Sequence, residues 1–131
     1  PVNLFLTEDG VLKLGYYGLT TQAECYSIRK RDCDGISSFA PEVFEGVYEM
    51  KSDVWSFGIV LLEMMGIGPY DPFENNRQSS MISKPRLPYF EDAIESEELA
   101  GFVYWCFVKA IEGRWSVKEL MDVSEEMRND G

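Results

Sequence analysis

Apolar positions are densest over residues 52–66, where Val54, Trp55, Phe57, Ile59, Val60, Leu61, Leu62, Met64 and Met65 are interrupted by only three polar side chains, Asp53, Ser56 and Glu63. On a helix these positions cover nearly every angle rather than one stripe. A helix apolar all round is buried all round, and a stretch of about fourteen residues is too short to span a bilayer. The pattern predicts a central helix with other elements packed on every side, N-capped by Ser52 or Asp53 and stopped by Gly66 and Pro69. An edge helix with an unusually apolar surface is the alternative.

The remaining elements read off the same alternation of apolar and polar runs. Two short β-type runs, residues 3–7 and 11–14, flank Glu8-Asp9-Gly10, and Asp-Gly is a hairpin turn signal because glycine reaches positive φ at no steric cost. Residues 15–39 are polar, without periodicity, and carry the basic run Arg29-Lys30-Arg31; so long an aperiodic stretch predicts a functional or mobile loop. Ala40-Pro41-Glu42 opens a short helix ending near Phe44 or Glu45, with proline at its first position and Glu42 near its positive end. After the central helix, residues 70–90 are loop-rich, with room for one short helix over 75–83. Ser96 then caps a helix whose apolar face holds Leu99, Phe102, Val103, Cys106 and Phe107. Ser116 and Glu119 have capping-box spacing and start a last helix with Leu120, Met121 and Val123 inward, fraying after Ser124. The sum is a mainly α fold with one β-hairpin.

Composition narrows the function classes. A chain of 131 residues with 45% hydrophobic and 14% aromatic content is one folded domain with a real core. Twelve basic against 23 acidic residues give a net charge of −11, which repels phosphate backbones and argues against nucleic acid as a partner. No apolar run reaches membrane-spanning length and no signal peptide opens the chain, so no membrane association is expected. Histidine is absent, which removes the commonest general base and every Ser-His or Cys-His pair. Cys25, Cys33 and Cys106 suit reduced thiols in the cytoplasm or the nucleus; a Cys25–Cys33 bridge is the alternative. The start at Pro1 fits either removal of an initiator methionine or a piece of something longer.

The order of pieces is specific: hairpin, long polar loop, Ala40-Pro41-Glu42, then Asp53-Val54-Trp55-Ser56-Phe57-Gly58 on the apolar helix, then Arg114 ahead of a capped helix. This order resembles the C-terminal lobe of a eukaryotic protein kinase over essentially the whole chain. The resemblance makes residues 1–131 a partial kinase domain: a hairpin after the catalytic loop (1–14), an activation segment (15–42) and a helical subdomain (43–131). Ala40, Pro41 and Glu42 match the motif that closes the activation segment, and Asp53, Trp55 and Gly58 match the central-helix signature. Arg114 stands where the family places the arginine that pairs with this glutamate. Pro1-Val2-Asn3 looks like the end of a Ser/Thr-type catalytic loop, with Asn3 at a metal-ligand position.

One position departs from the family. Its metal-binding Asp-Phe-Gly falls on Tyr16-Tyr17-Gly18, which keeps Gly18 and replaces the carboxylate by Tyr16. Magnesium is a hard cation that takes carboxylate oxygen, and a neutral phenol is a poor substitute. No Asp or Glu between Asp9 and Glu24 supplies another. The segment from Gly35 to Glu42 is also one residue shorter than the family pattern. Thr20, Thr21, Ser27, Ser37 and Ser38 are candidate phosphorylation sites, and the basic run 29–31 is either a phosphate partner or a solvated loop face. The catalytic-loop His-Arg-Asp and the nucleotide-binding N-lobe of the family would precede residue 1 and are not in this sequence.

The resemblance therefore implies a kinase-like module that binds neither ATP nor magnesium by itself and acts as an interaction or scaffold element. The alternative is the C-terminal half of an ATP-dependent serine/threonine kinase, and a truncated product without biochemical role is a third reading. In each case the apolar helix expects cover from the missing half or from a protein partner. Some of Trp55, Ile59, Leu62 and their neighbours are expected to face solvent without it.

Overall fold

The computed structural model describes residues 4–15, 39–67 and 90–130. The chain divides into two compact units, residues 1–37 and 38–131, each considered by itself. The first holds an antiparallel hairpin, β1 (Leu4–Leu6) paired with β2 (Leu12–Leu14), with Leu4 opposite Leu14 and Leu6 opposite Leu12. Gly10 takes φ of 79° in the turn, and Thr7 closes it by accepting the Val11 N–H on its hydroxyl at 2.9 Å.

The second unit is helical. A 3-10 turn, Pro41–Glu45, ends at Gly46 in the left-handed region (φ 83°). Helix α1 (Met50–Met64) follows, then a short 3-10 turn (Glu91–Ala93), α2 (Glu97–Cys106) and α3 (Val117–Asp130). Among the described residues, one hairpin and three helices make the fold mainly α, as the sequence pattern implies.

Three expectations need correction. The N-cap of α1 is neither Ser52 nor Asp53 but Glu49, whose backbone N–H donates to Ser52 Oγ at 3.2 Å in a capping box with the usual residue types exchanged. The C-terminal stop at Gly66 holds: its φ is 74°, and Ile67 N–H reaches back to Leu62 O at 2.9 Å. On α3, Leu120 is buried and Val123 half-buried, but Met121 points outward. That helix also does not fray after Ser124; it runs on to Asp130 because Met127, two turns beyond Leu120, still packs against the core.

The third correction concerns how α1 is covered. Val54, Trp55, Gly58, Ile59 and Leu62 make one buried face, so Trp55, Ile59 and Leu62 themselves are sheltered and it is their neighbours that face solvent. Phe57 (43% exposed) and Met64 (77%) lie open on the other side. The helix is thus one-sided in burial although two-sided in composition. It packs on α2, and α2 packs on α3. Val54, Phe102, Cys106 and Leu120 bring all three helices into one cluster, with Leu61, Trp115, Val123 and Met127 at its margin. Gly58 makes the α1–α2 contact close: a Cβ there would sit 2.8 Å from Cys106 Cβ and 2.8 Å from the Phe107 ring. The loop 70–90 and its short helix lie outside the described residues except for Phe90, which is buried against Phe107 with ring centroids 5.5 Å apart.

Candidate functional site

Among the described residues, the densest polar constellation is built around Glu42 and Arg114. Glu42 sits at the second position of the 3-10 turn, placed there by Pro41, whose ring presets φ and whose missing N–H costs nothing at a helix start. Arg114 follows a turn closed by the Arg114 N–H on Ala110 O at 3.1 Å, which points its side chain into the body of the unit. Both are buried, Arg114 to 1% exposure. The guanidinium grips the carboxylate with two bonds, Nη1 to Oε1 at 2.6 Å and Nη2 to Oε2 at 3.0 Å.

The remaining donors of Arg114 are also used. Nε donates to Val108 O at 2.8 Å, Nη1 to Lys51 O at 3.0 Å and Nη2 to Lys109 O at 3.5 Å. These carbonyls come from the first turn of α1 and from the segment after α2. The cation also lies over the Trp55 ring, 5.2 Å from its centroid. On the acid side, Ser52 Oγ donates to Glu42 Oε1 at 2.8 Å. Burial works to raise the Glu42 pKa, but the hydrogen bonds from Arg114, the Glu42 backbone and Ser52, with the charge of Arg114, outweigh it and hold the carboxyl below its ordinary value. A buried charge pair with its hydrogen-bonding capacity filled is a fastening device. It offers no base poised near neutral pH and no open coordination position.

The other candidates distribute around this junction. Ala40 is fully buried at the entry to the 3-10 turn. Asp53 is exposed on the first turn of α1 and accepts a hydrogen bond from Tyr48 Oη. Trp55 packs edge-on against Phe107 with centroids 5.1 Å apart, its indole N–H buried without a hydrogen-bond partner. Cys106 is a free, buried thiol whose pKa burial pushes up to about 12, opposed by the nearby charge of Arg114. Asn3, Tyr16 and Gly18 lie outside the described residues, as do Thr20, Thr21, Ser27, Ser37, Ser38, the basic run 29–31 and both Cys25 and Cys33. Among the described residues no group of three His, Cys, Asp or Glu is placed to hold a metal ion, and no helix is long and apolar enough to cross a membrane.

Two participants escaped the sequence reading. Ser52 is not a helix cap but the hydroxyl that joins Glu42 to the N-terminus of α1, and Glu49 is the cap. Glu-x-x-Ser is a capping box written backwards, so the spacing of 49 and 52 carried the signal. The carbonyls of Lys51, Val108 and Lys109 carry none, since backbone acceptors have no residue identity.

Comparison with known proteins agrees with this architecture. A family model described as protein tyrosine and serine/threonine kinase matches residues 2–123. The serine/threonine-protein kinase KIC1 of Saccharomyces cerevisiae is 34% identical over 91% of this chain, and the serine/threonine-protein kinase pakH of Dictyostelium discoideum is 34% identical over 92%. The serine/threonine-protein kinase hippo of Drosophila melanogaster is 33% identical over 97%. The chain spans 11%, 24% and 19% of the length of these three relatives. A mostly helical body with a two-stranded hairpin and a kinase match over nearly its full length has one reading: the chain belongs to the protein tyrosine and serine/threonine kinase family.

Proposed function

We propose that this chain is a kinase-like module that does not carry out phosphoryl transfer on its own and serves as an interaction or scaffold element. Tyr16 carries the proposal. It occupies the family position of the metal-binding aspartate, and residues 10–23 contain no carboxylate to replace it. Asn3, at the other metal-ligand position, offers only a neutral amide. A magnesium ion clamped on a triphosphate needs anionic oxygen from the protein, and this donor set does not fit it. In this reading residues 1–14 are the hairpin after the catalytic loop, 15–42 the activation segment and 43–131 the helical subdomain, all in a cytoplasmic protein.

The open side of α1 supports the partner half of the proposal. Phe57 and Met64 present apolar surface where a helix apolar all round expects cover, from the rest of a kinase domain or from another protein. A second reading, the C-terminal half of an ATP-dependent serine/threonine kinase, draws support from the relatives being named serine/threonine-protein kinases and from Pro1-Val2-Asn3. There the catalytic base and nucleotide pocket come from residues outside this sequence, and Tyr16 remains a defect at the metal.

Calorimetric titration of the 131-residue chain with Mg·ATP tests the first reading. No saturable heat is expected, and Tyr16→Asp alone restores no phosphorylation of a generic Ser/Thr peptide. A dissociation constant in the micromolar range overturns it.

A further inference from the structure

Helix α2 buries Phe102, Val103 and Cys106 and turns its other side outward. On that side Glu97, Gly101 and Tyr104 follow at i, i+4 and i+7, with Glu98 and Trp105 seven residues apart beside them. Both glutamates are exposed, Tyr104 is 50% exposed and Trp105 38%. The two rings lie edge to face, centroids 5.5 Å apart and planes at 82°, and form two walls of a corner. The Trp105 wall is braced: its ring stacks on Trp115 at 5.2 Å with the planes 7° apart, and Trp115 packs against the core. Between the carboxylates and the rings stands Gly101, where an added Cβ would meet nothing within 4 Å.

Exposed rings in line with carboxylates suit one ligand chemistry. A π face attracts a cation and a carboxylate accepts one, and guanidinium serves both because it is planar and weakly hydrated, whereas an ammonium holds its water. Helix α2 carries no cation of its own, and the chain's net charge of −11 draws cations in. Spacing then selects the backbone of the ligand. Seven helical residues rise about 10.5 Å, and helical side chains lean the same way, so rings and carboxylates keep about that separation. A polyproline II segment sets residues i and i+3 on one side about 9 Å apart. A β-strand repeats its side at about 6.6 Å, and a helix about 10 Å across needs more room than one missing side chain leaves. This chain contains no Arg-x-x-Arg, so a second copy does not supply one. We infer that the outer face of α2 docks an extended Arg-x-x-Arg segment of a partner protein. One guanidinium lies on Tyr104 and Trp105, the other against Glu97 and Glu98, and the backbone crosses Gly101. This gives the interaction role proposed above a surface that shares no residue with the metal position, so the Mg·ATP titration and a peptide titration can fail separately.

The probe is a dye-labelled peptide, Gly-Arg-Pro-Pro-Arg-Gly, titrated with the 131-residue chain and read by fluorescence anisotropy. Circular dichroism confirms that every variant stays folded. A peptide with lysines for both arginines, and one with a single proline between the arginines, keep the charge and are each expected to bind at least about fivefold weaker. Tyr104→Leu keeps apolar bulk without the ring, and Glu97→Gln with Glu98→Gln removes the carboxylates; each weakens binding by about fivefold or more. Gly101→Leu fills the gap and abolishes binding while the melting temperature holds or rises, since leucine is the better helix former. Absence of saturation by about 1 mM peptide overturns the inference. So does equal binding of the lysine peptide, which marks diffuse attraction to an acidic chain, or of the single-proline peptide. Undiminished binding to Gly101→Leu places the segment elsewhere and overturns it as well.

Discussion

At the scale of single residues, Arg114 has the most bonds to lose among the described residues. Replacing Glu42 by Gln leaves a buried guanidinium facing a neutral amide, and removing one member of a buried pair costs roughly 3–5 kcal/mol. Denaturant titration of Glu42→Gln is expected to show a loss of that order, with Arg114→Met added to it recovering part of the loss. The folded state holds the Glu42 carboxyl below its ordinary pKa of 4.5. The unfolded chain therefore takes up that proton first as pH falls. The stabilisation is complete above the ordinary carboxylate range and is lost as pH drops through the lowered folded value. Acid unfolding of the wild type against Glu42→Gln checks the sign: the gap between the two closes toward low pH. Cys106 shows the opposite linkage. Its thiol titrates at about 12 in the fold against 9.0 in the open chain, so its contribution holds below pH 9 and fades as pH rises toward 12. Near neutral pH, a thiol reagent followed by peptide mapping should leave Cys106 unmodified until the chain is unfolded.

At the scale of elements, how much was legible depended on whether the stabilising group was a side chain with a positional habit. Ser116 and Glu119 announced the start of α3, and the structure shows both halves of the box: Ser116 N–H on Glu119 Oε2 at 2.7 Å and Glu119 N–H on Ser116 Oγ at 3.3 Å. Ser96 likewise accepts the Leu99 N–H at 3.3 Å, and Asp9-Gly10 turned the hairpin where expected. The start of α1 was misread because Ser52 and Asp53 have the stronger habit as caps, whereas the group that decides is Glu49. Its buried side could not be read at all. Apolar residues surround the axis, and the sheltered face is the one that meets α2, where Cys106 and Phe107 approach Gly58 closely. Of the candidate site, the Glu42–Arg114 pairing was legible through family resemblance, while Ser52 and the three carbonyls had no such signature. Substitution separates the roles. Ser116→Ala is expected to cost about 1 kcal/mol, as an exposed cap does. Ser52→Ala, which also strips a buried carboxylate of a donor, is expected to cost more, up to about 3 kcal/mol. Thermal melts of the two variants side by side check the order.

At the scale of the molecule, the open face of α1 is the feature with solution consequences. Phe57 and Met64 are expected to bind a hydrophobic dye such as ANS in the isolated chain. The double variant Phe57→Ser, Met64→Gln should lower that signal while leaving the melting temperature nearly unchanged, because neither side chain belongs to the buried face. A large drop in melting temperature would show that this surface is covered within the chain. The same molecule holds its helical unit closed by a bond between residues 72 positions apart. A contact of that separation waits for the intervening chain to order itself, since loop-closure entropy is met before the bond forms. Interactions made after the rate-limiting step act on the way out of the native state and hardly on the way in. In denaturant jumps, Glu42→Gln is accordingly expected to steepen the loss of structure with time while refolding proceeds at nearly the wild-type rate. That outcome would make the pair between Glu42 and Arg114 a control on the lifetime of the folded chain rather than on the speed of its formation.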